Sequence, residues 1–188
     1  RELWSDAMTT GKLAAIASEE ILYPEVARCH AIRGANVFLH NSSEVGAATM
    51  TPKQIARRAR ALENLAFVVS ANNARLIGIE VPVDSADGGS DILDYMGRQL
   101  IAASPGASCT ATALLDMAGL RAYRAAGGMG NMLSRQALGL FAESYAQADI
   151  RRPNGLWKHG KVVVPDRSYF AKAQADVLER ISERGLTS

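Results

Sequence analysis

The chain has 188 residues, 48% hydrophobic and 21% charged, with a formal net charge of +2; these ordinary globular values leave room for one domain with a sizeable core. Its basic residues are scattered, without aromatic interleaving or a concentrated positive face, which excludes the electrostatic footprint of a nucleic-acid binder. No apolar run approaches the ~20 residues that cross a bilayer, no secretory signal is read, and two cysteines, Cys29 and Cys109, make no disulfide framework, so a reducing cytoplasm is the expected compartment.

Strands and helices alternate along the first part of the chain. A short apolar run at 12–17 reads as a buried strand. Ser18, Glu19 and Glu20 follow at an elbow, and a helix opens at Pro24 and Glu25, residue types suited to a first helical turn. That helix runs to about 33, ended by Gly34, and a second strand follows at 35–41. Thr51-Pro52-Lys53-Gln54 reads as a capping box with proline at the first helical position. Its helix extends to about Ala66, with Ile55, Ala59 and Leu62 on one face. A β-branched strand at 66–73 comes next, and then loop and a weak strand at 75–87. A hairpin is expected at 90–95 and 98–104, joined by Met96-Gly97, and a further strand at 109–116. Such short strand–helix–strand passages argue for layered α/β packing.

After residue 117 the character changes. Helices are expected at 118–126 and 132–147, the second with Leu133, Ala137, Leu140, Phe141 and Tyr145 at helical spacing. Residues 151–168 read as extended. A last helix at 169–183 carries Phe170, Ala173, Val177 and Ile181 on one face. Such an extension either wraps a partner subunit or packs on its own domain.

The elbow is the chemically informative feature. A nucleophile at a strand-to-helix elbow is exposed at the strand end, beside free backbone N–H groups that can hold an oxyanion. That elbow here carries Ser18, Glu19 and Glu20. Cys29, in register with Val26 and Ile32, is expected as a small core residue, and Cys109 as structural. His30, His40 and His159 are far apart and lack ligand spacing, so no metal is expected.

Four segments in series carry a resemblance. The first runs from Gly11 through the apolar strand to Ser18, Glu20, Tyr23 and Pro24-Glu25. The second is Arg60-Ala61-Leu62-Glu63-Asn64 with Val68, Val69 and Asn72. The third is Gly89-Ser90-Asp91-Ile92 with Gly97, and the fourth the strand end at 114–120 with Arg121 and Arg124. Together they cover residues 11–125 and resemble the nitrilase superfamily, the carbon–nitrogen hydrolases, with Ser18 where that family has its nucleophilic cysteine; the resemblance implies that residue 18 attacks the carbonyl and that the N–H of Glu19 helps hold the oxyanion.

The resemblance implies a four-layer α-β-β-α sandwich that hydrolyses amides, carbamoyl compounds or nitriles without a cofactor, through a thioester on cysteine. A glutamate serves as base and acid, a lysine helps bind the oxyanion, and a second glutamate often assists. In family order these groups precede the elbow. Glu2, Asp6 and Lys12 do not fit their motifs, so residues 1–125 are expected to be the C-terminal part of such a sandwich. Residues 126–188 are expected to be an extension at a subunit interface. A fragment cut through its sandwich is not expected to fold alone.

Further expectations concern individual residues. Asn41, Ser42, Ser43 and Glu44 end a strand parallel to the elbow strand and either shape the substrate pocket or form an ordinary polar loop. Glu20 suits a buried hydrogen bond to backbone amides. Arg60, Glu63 and Asn64 suit a buried polar network, and Arg28 suits pairing across a homo-oligomer interface. The expected partner is a small-molecule amide or, less often, a nitrile, with no nucleic acid and no membrane. A serine hydroxyl needs a well-placed base to match a thiol. Three readings of Ser18 stay open: a Cys→Ser replacement that traps substrate, a natural non-catalytic homologue serving as a binding or assembly module, and a working serine nucleophile. The first two leave the Ser18 form inactive or trapped, and that is the expectation.

Overall fold

A computed structural model describes residues 11–47, 49–80, 82, 86, 88–148, 150–151 and 154–186. Glu2 and Asp6, weighed above as upstream acids, lie outside them. The described chain divides into two compact units, one through Gln136 and one from Ala137 onward.

The first unit is a mixed five-stranded sheet with helices. The elbow strand β1 (Leu13–Ala17) leads through a 3-10 turn (Ser18–Leu22) into α1 (Pro24–Ile32). β2 (Val37–Ser42), α2 (Pro52–Asn64) and β3 (Phe67–Asn72) follow, then the hairpin β4 (Asp91–Leu93) and β5 (Gln99–Ala102), and α3 (Met117–Ala125). Strand order equals sequence order. β1, β2 and β3 are parallel, and β4 and β5 are antiparallel. The two parallel steps are made by α1 and α2, since parallel neighbours need a crossover.

Strand periodicity of two separates the sheet's faces. One face sends Ile16, Phe38, Val68 and Leu93 into a cluster with Ile21, Ala27, Ala31, Ala56 and Ala61 of the turn, α1 and α2. The other sends Val37 and Phe67 against Leu65 and Leu120. There Phe67 and Tyr95 meet edge to face at 5.5 Å. α3 is tied down by Arg124, whose guanidinium donates to the carbonyls of Ala35, Asn64 and Leu65. Burial pulls Arg124 below the ordinary guanidinium value.

α2 begins as its residues dictate: Thr51 Oγ1 accepts from Gln54 N at 3.3 Å, and Thr51 N donates to Gln54 Oε1 at 3.0 Å. Its buried face, however, is not the apolar one. Ala56, Arg57, Arg60, Ala61 and Asn64 are buried, whereas Ile55 and Leu62 are exposed. The hydrophobic pattern pointed away from the core because this helix delivers charged groups to the sheet. The β4–β5 turn closes on Gly97, at φ +74, where a Cβ would stand 2.9 Å from the Arg58 carbonyl.

Other departures have local causes. Cys29 is exposed, because α1 turns Ala27 and Ala31 inward instead; Cys109 is exposed too. Residues 109–116 form no strand. Burial alternates there as a strand's would, but no neighbouring strand takes up the backbone groups, and the segment ends at Asp116, whose carboxylate caps α3 by accepting from Gly119 N at 2.7 Å. In the 75–87 stretch the pairing among described residues is the single bridge Val45–Ala86; residues 81, 83–85 and 87 lie outside them. The expected 132–147 helix starts only at Gly139. Buried Asn131 holds the chain before it, donating to the Arg124 and Ala126 carbonyls and accepting from Ser134 N, a side-chain alternative to helical bonding.

The second unit comprises α4 (Gly139–Gln147), a small hairpin of β6 (Trp157–Lys158) and β7 (Lys161–Val162), and α5 (Arg167–Glu183). Asp166 caps α5 by accepting from Tyr169 N at 3.1 Å. Ala173, Val177 and Ile181 are half-buried, whereas Phe170 is exposed.

Candidate active site

The site forms where β1 and β2 end under the first turns of α2. Ser18 opens the 3-10 turn with φ +41, a left-handed conformation that a residue with a Cβ adopts only at a cost. Three sets of contacts hold it there. Glu20 Oε2 accepts from Ala17 N at 2.7 Å. Arg60 donates to the carbonyls of Ile21 and Leu22 at 3.0 and 3.1 Å. His40 Nε2 lies 3.0 Å from the Ser18 carbonyl.

The last contact ends a chain that crosses the sheet. Register puts Ile16, His40, Ser70 and Asp91 in one row, on the face that α2 covers. Arg57 reaches down to that row and donates from Nη1 to Ser70 Oγ. A guanidinium can only donate, so the Ser70 hydroxyl proton is free to go to His40 Nδ1, 2.8 Å away. Nδ1 is therefore the acceptor, and Nε2–H donates to the Ser18 carbonyl. This is a neutral imidazole. Burial pushes the His40 pKa down, against the carbonyl contact that would raise it, and Arg57 and Lys53 add to the lowering.

Asp91 ends the row. Its Oδ1 is 3.4 Å from Arg57 Nη1 with both side chains buried, but it accepts no hydrogen bond among the described residues, and neither Arg57 Nε nor Asp91 Oδ1 is otherwise satisfied. The contact is an ion pair without hydrogen-bond geometry. Burial pushes the Asp91 carboxyl up, opposed by Arg57 and then Arg58.

The Ser18 hydroxyl is met by Lys53. Its Nζ lies 3.1 Å from Ser18 Oγ and 3.5 Å from Ser42 Oγ. Sequence reasoning gave Lys53 only a place in the capping box. The available signal was a conflict: a cation in the first turn of a helix sits at the positive end of the dipole. The spacing of the histidines says nothing of His40 as a support; the available signal is that a histidine two residues after Phe38 shares its buried face.

The remaining sequence candidates divide. Ser42 is buried and turned to Lys53, whereas Asn41 is exposed on the opposite face of β2. Ser43 Oγ accepts from Asn73 Nδ2 at 2.9 Å, and Glu44 exchanges backbone bonds with the Asn72 side chain. Glu19 is exposed and its N–H falls among the first donors of the turn, which lack helical acceptors. Glu20 makes its backbone bond, but at the surface rather than buried. Arg60, Glu63 and Asn64 come together: Arg60 Nη1 pairs with Glu63 Oε1 at 2.8 Å, and Asn64 Nδ2 donates to the Arg60 carbonyl at 2.9 Å. Arg28 Nη1 is buried without a partner among the described residues, and burial pulls its pKa down. No cluster of three metal-ligating side chains occurs among the described residues.

The family model for carbon–nitrogen hydrolases matches residues 4–125. The chain belongs to the carbon–nitrogen hydrolase family. Solved structures carry the same fold as this hydrolase-family chain. A carbon–nitrogen hydrolase from Helicobacter pylori G27 is 19% identical over 72% of this chain and 50% of its own, with a TM-score of 0.59. The amidase NitN from Nesterenkonia sp. AN1 is 23% identical over 77% and 48%, with a TM-score of 0.54. XC1258 from Xanthomonas campestris, described as a CN-hydrolase superfamily protein, is 19% identical over 66% and 47%, with a TM-score of 0.53. The chain thus spans about half the length of these structures, and at such identities the likeness is one of fold. Comparison with curated proteins gave no match. No helix among the described residues is long and apolar enough to cross a membrane.

Proposed function

We propose that the protein hydrolyses the carbon–nitrogen bond of a small non-peptide amide, with the carbonyl carbon seated against the side chain of residue 18. The observation that carries this reading is the placement of Ser18. It stands at the end of β1 in a left-handed conformation, clamped by His40 and Arg60, with an N–H donor beside it at Glu19. Family membership supports the reaction class. In a mutant of the Nesterenkonia sp. AN1 amidase, the acetamide moiety of fluoroacetamide is added covalently at the active-site cysteine, which supports an amide over a nitrile. Further parts of the proposal are assembly as a homo-oligomer, with residues 126–188 and Arg28 at the subunit contact, and a cytoplasmic location. The exposed apolar side chains Ile32, Ile55 and Leu62 on α1 and α2 support the assembly, and two exposed free cysteines support a reducing compartment.

Ammonia release from a panel of small aliphatic amides, measured on the protein at its full natural length, tests the reaction. Ser18→Cys should exceed Ser18→Ala at least tenfold. The serine itself favours a second reading, a non-catalytic homologue that binds without turnover. That reading takes over if the serine, cysteine and alanine forms all bind amides and none releases ammonia.

A further inference from the structure

Lys53 is a part-buried amine whose polar partners among the described residues are two hydroxyls, Ser18 Oγ at 3.1 Å and Ser42 Oγ at 3.5 Å. It makes no ion pair with a carboxylate there. His40 of β2 adjoins this corner, and the charged groups that act on it are Arg57, one turn further along α2, Lys53 itself and Glu44 beyond β2. His40 is committed to Ser70 and the Ser18 carbonyl; its ring reaches the Ser18 backbone, not its hydroxyl. Arg57 is committed to Ser70 and Asp91. Lys53 is therefore the one titratable side chain among the described residues bonded to Ser18 Oγ.

The geometry points to a Ser18–Lys53 dyad in which the Lys53 amine is the proton acceptor for the Ser18 hydroxyl, making Ser18 a working nucleophile rather than a disabled one. This rests on the amide-hydrolysis reading of the same site and deepens it. It also differs from the arrangement the family resemblance implies, where the lysine precedes the elbow and binds the oxyanion.

A separation of 3.1 Å serves a hydrogen bond in either sense. With the amine neutral, one N–H donates to Ser42 Oγ and the lone pair faces the Ser18 O–H. As Oγ attacks the carbonyl carbon, its proton passes to Nζ and the carbonyl π electrons move to oxygen, beside the Glu19 N–H. Collapse of this oxyanion breaks the C–N bond, and the ammonium returns the proton to the departing amine. The product is an ester on Ser18. Water then attacks the ester, gives its proton to Nζ and releases the acid and the restored hydroxyl. Ser42 is a positioning residue: it orients the amine through Nζ and makes no contact with Ser18 Oγ among the hydrogen bonds described.

The test is phosphonylation of Ser18 by a fluorophosphonate in the full-length protein, followed by peptide mass from pH 6 to 9.5. Oγ bonds to phosphorus, fluoride leaves, and the proton must go to a base. Wild type should label at a rate that rises with pH. Lys53→Met should slow labelling at least 100-fold and flatten the profile. Lys53→Arg should be as slow as Lys53→Met, because a guanidinium holds its proton throughout. Wild-type labelling by Lys53→Arg would make Lys53 merely a cation and overturn the dyad. So would a flat wild-type profile, which needs no variant to fold, or no labelling of Ser18 at any pH. Ammonia release is read in parallel. Lysine-dependent labelling without amide turnover keeps the dyad and rejects the amide reading; amide turnover indifferent to Lys53 does the reverse.

Discussion

His40 donates from Nε2 to the carbonyl of Ser18 at 3.0 Å, so a side chain of the second strand sets the backbone of the first at its functional turn. Arg57 and Ser70 set the neutral tautomer that keeps a proton on Nε2 for this bond. Protonating His40 would put a second proton on Nδ1, facing a hydroxyl already accepting from Arg57, in a buried place.

The pH dependence follows. The folded-state pKa of His40 is lowered, first by burial, while the unfolded chain titrates near ~6.5. The unfolded state binds the proton first as pH falls. Stability from His40 is thus fully present above ~6.5 and is lost as pH drops from there through the lowered folded value. Asp91, raised by burial, has the opposite sign: its contribution is present below the ordinary carboxylate range and lost as pH rises through its folded value. Urea unfolding at pH 7.5 and 5.5 should show wild type weakening on acidification, and His40→Gln weakening less. Equal losses in both proteins would refute the assignment.

The strain at Ser18 can be measured directly. At φ +41, glycine relieves the Cβ clash but adds unfolded-state entropy, two terms of about 1 kcal/mol that oppose each other. Ser18→Gly should therefore match wild-type stability to within about 1 kcal/mol while losing the hydroxyl. Ser18→Val, β-branched in the same conformation, should lose about 1–3 kcal/mol. Chemical unfolding of both decides it; a valine form as stable as the glycine form would mean that the turn relaxes.

Much of the first unit could be read from residue order. The apolar run before Ser18, the capping box at Thr51 and the β-branched run at 67–72 each state their element locally. Two kinds of feature could not be read so. One is long-range: Lys53 meets Ser18 across 35 positions, and His40 meets Ser70 across 30, through a sheet register that no local pattern prints. The other is inversion, as in α2, where buried arginines replace the apolar stripe and period counting selects the exposed side. The alternation at 109–116 shows the converse: burial can alternate along an extended segment that no neighbour pairs.

Arg60 should matter more than its distance from Ser18 Oγ suggests. It donates to the Ile21 and Leu22 carbonyls and pairs with Glu63. Arg60→Met leaves two carbonyls without their donor and takes the shorter of two donors from the Glu63 carboxylate, which keeps Asn64 Nδ2 at 3.5 Å. At about 1–3 kcal/mol for each such loss, and with partial solvation of Glu63, the variant should lose about 3 kcal/mol. Hydrogen exchange should quicken at 18–23 beyond any global change. Protection unchanged in that segment would show that the turn holds without Arg60.

Arg57 and Asp91 offer the last separable effect, because the two ends of the pair are not equivalent. Arg57 is 2% exposed and also holds Ser70, whereas Asp91 Oδ1 accepts no hydrogen bond among the described residues. Removing the arginine strands a buried carboxyl already pushed upward and frees the Ser70 hydroxyl from its donor, so Arg57→Met should cost about 3–5 kcal/mol at neutral pH. Asp91→Asn keeps the volume, leaves Arg57 bonded to Ser70, and should cost about half as much. In the double variant the stranded charge is gone, so its loss should fall below the sum of the singles by at least about 1 kcal/mol. Urea unfolding of the four proteins closes that cycle. An additive result would mean that the 3.4 Å contact carries no coupling, and that the row from Asp91 to Ser18 is held by Ser70 and His40 alone.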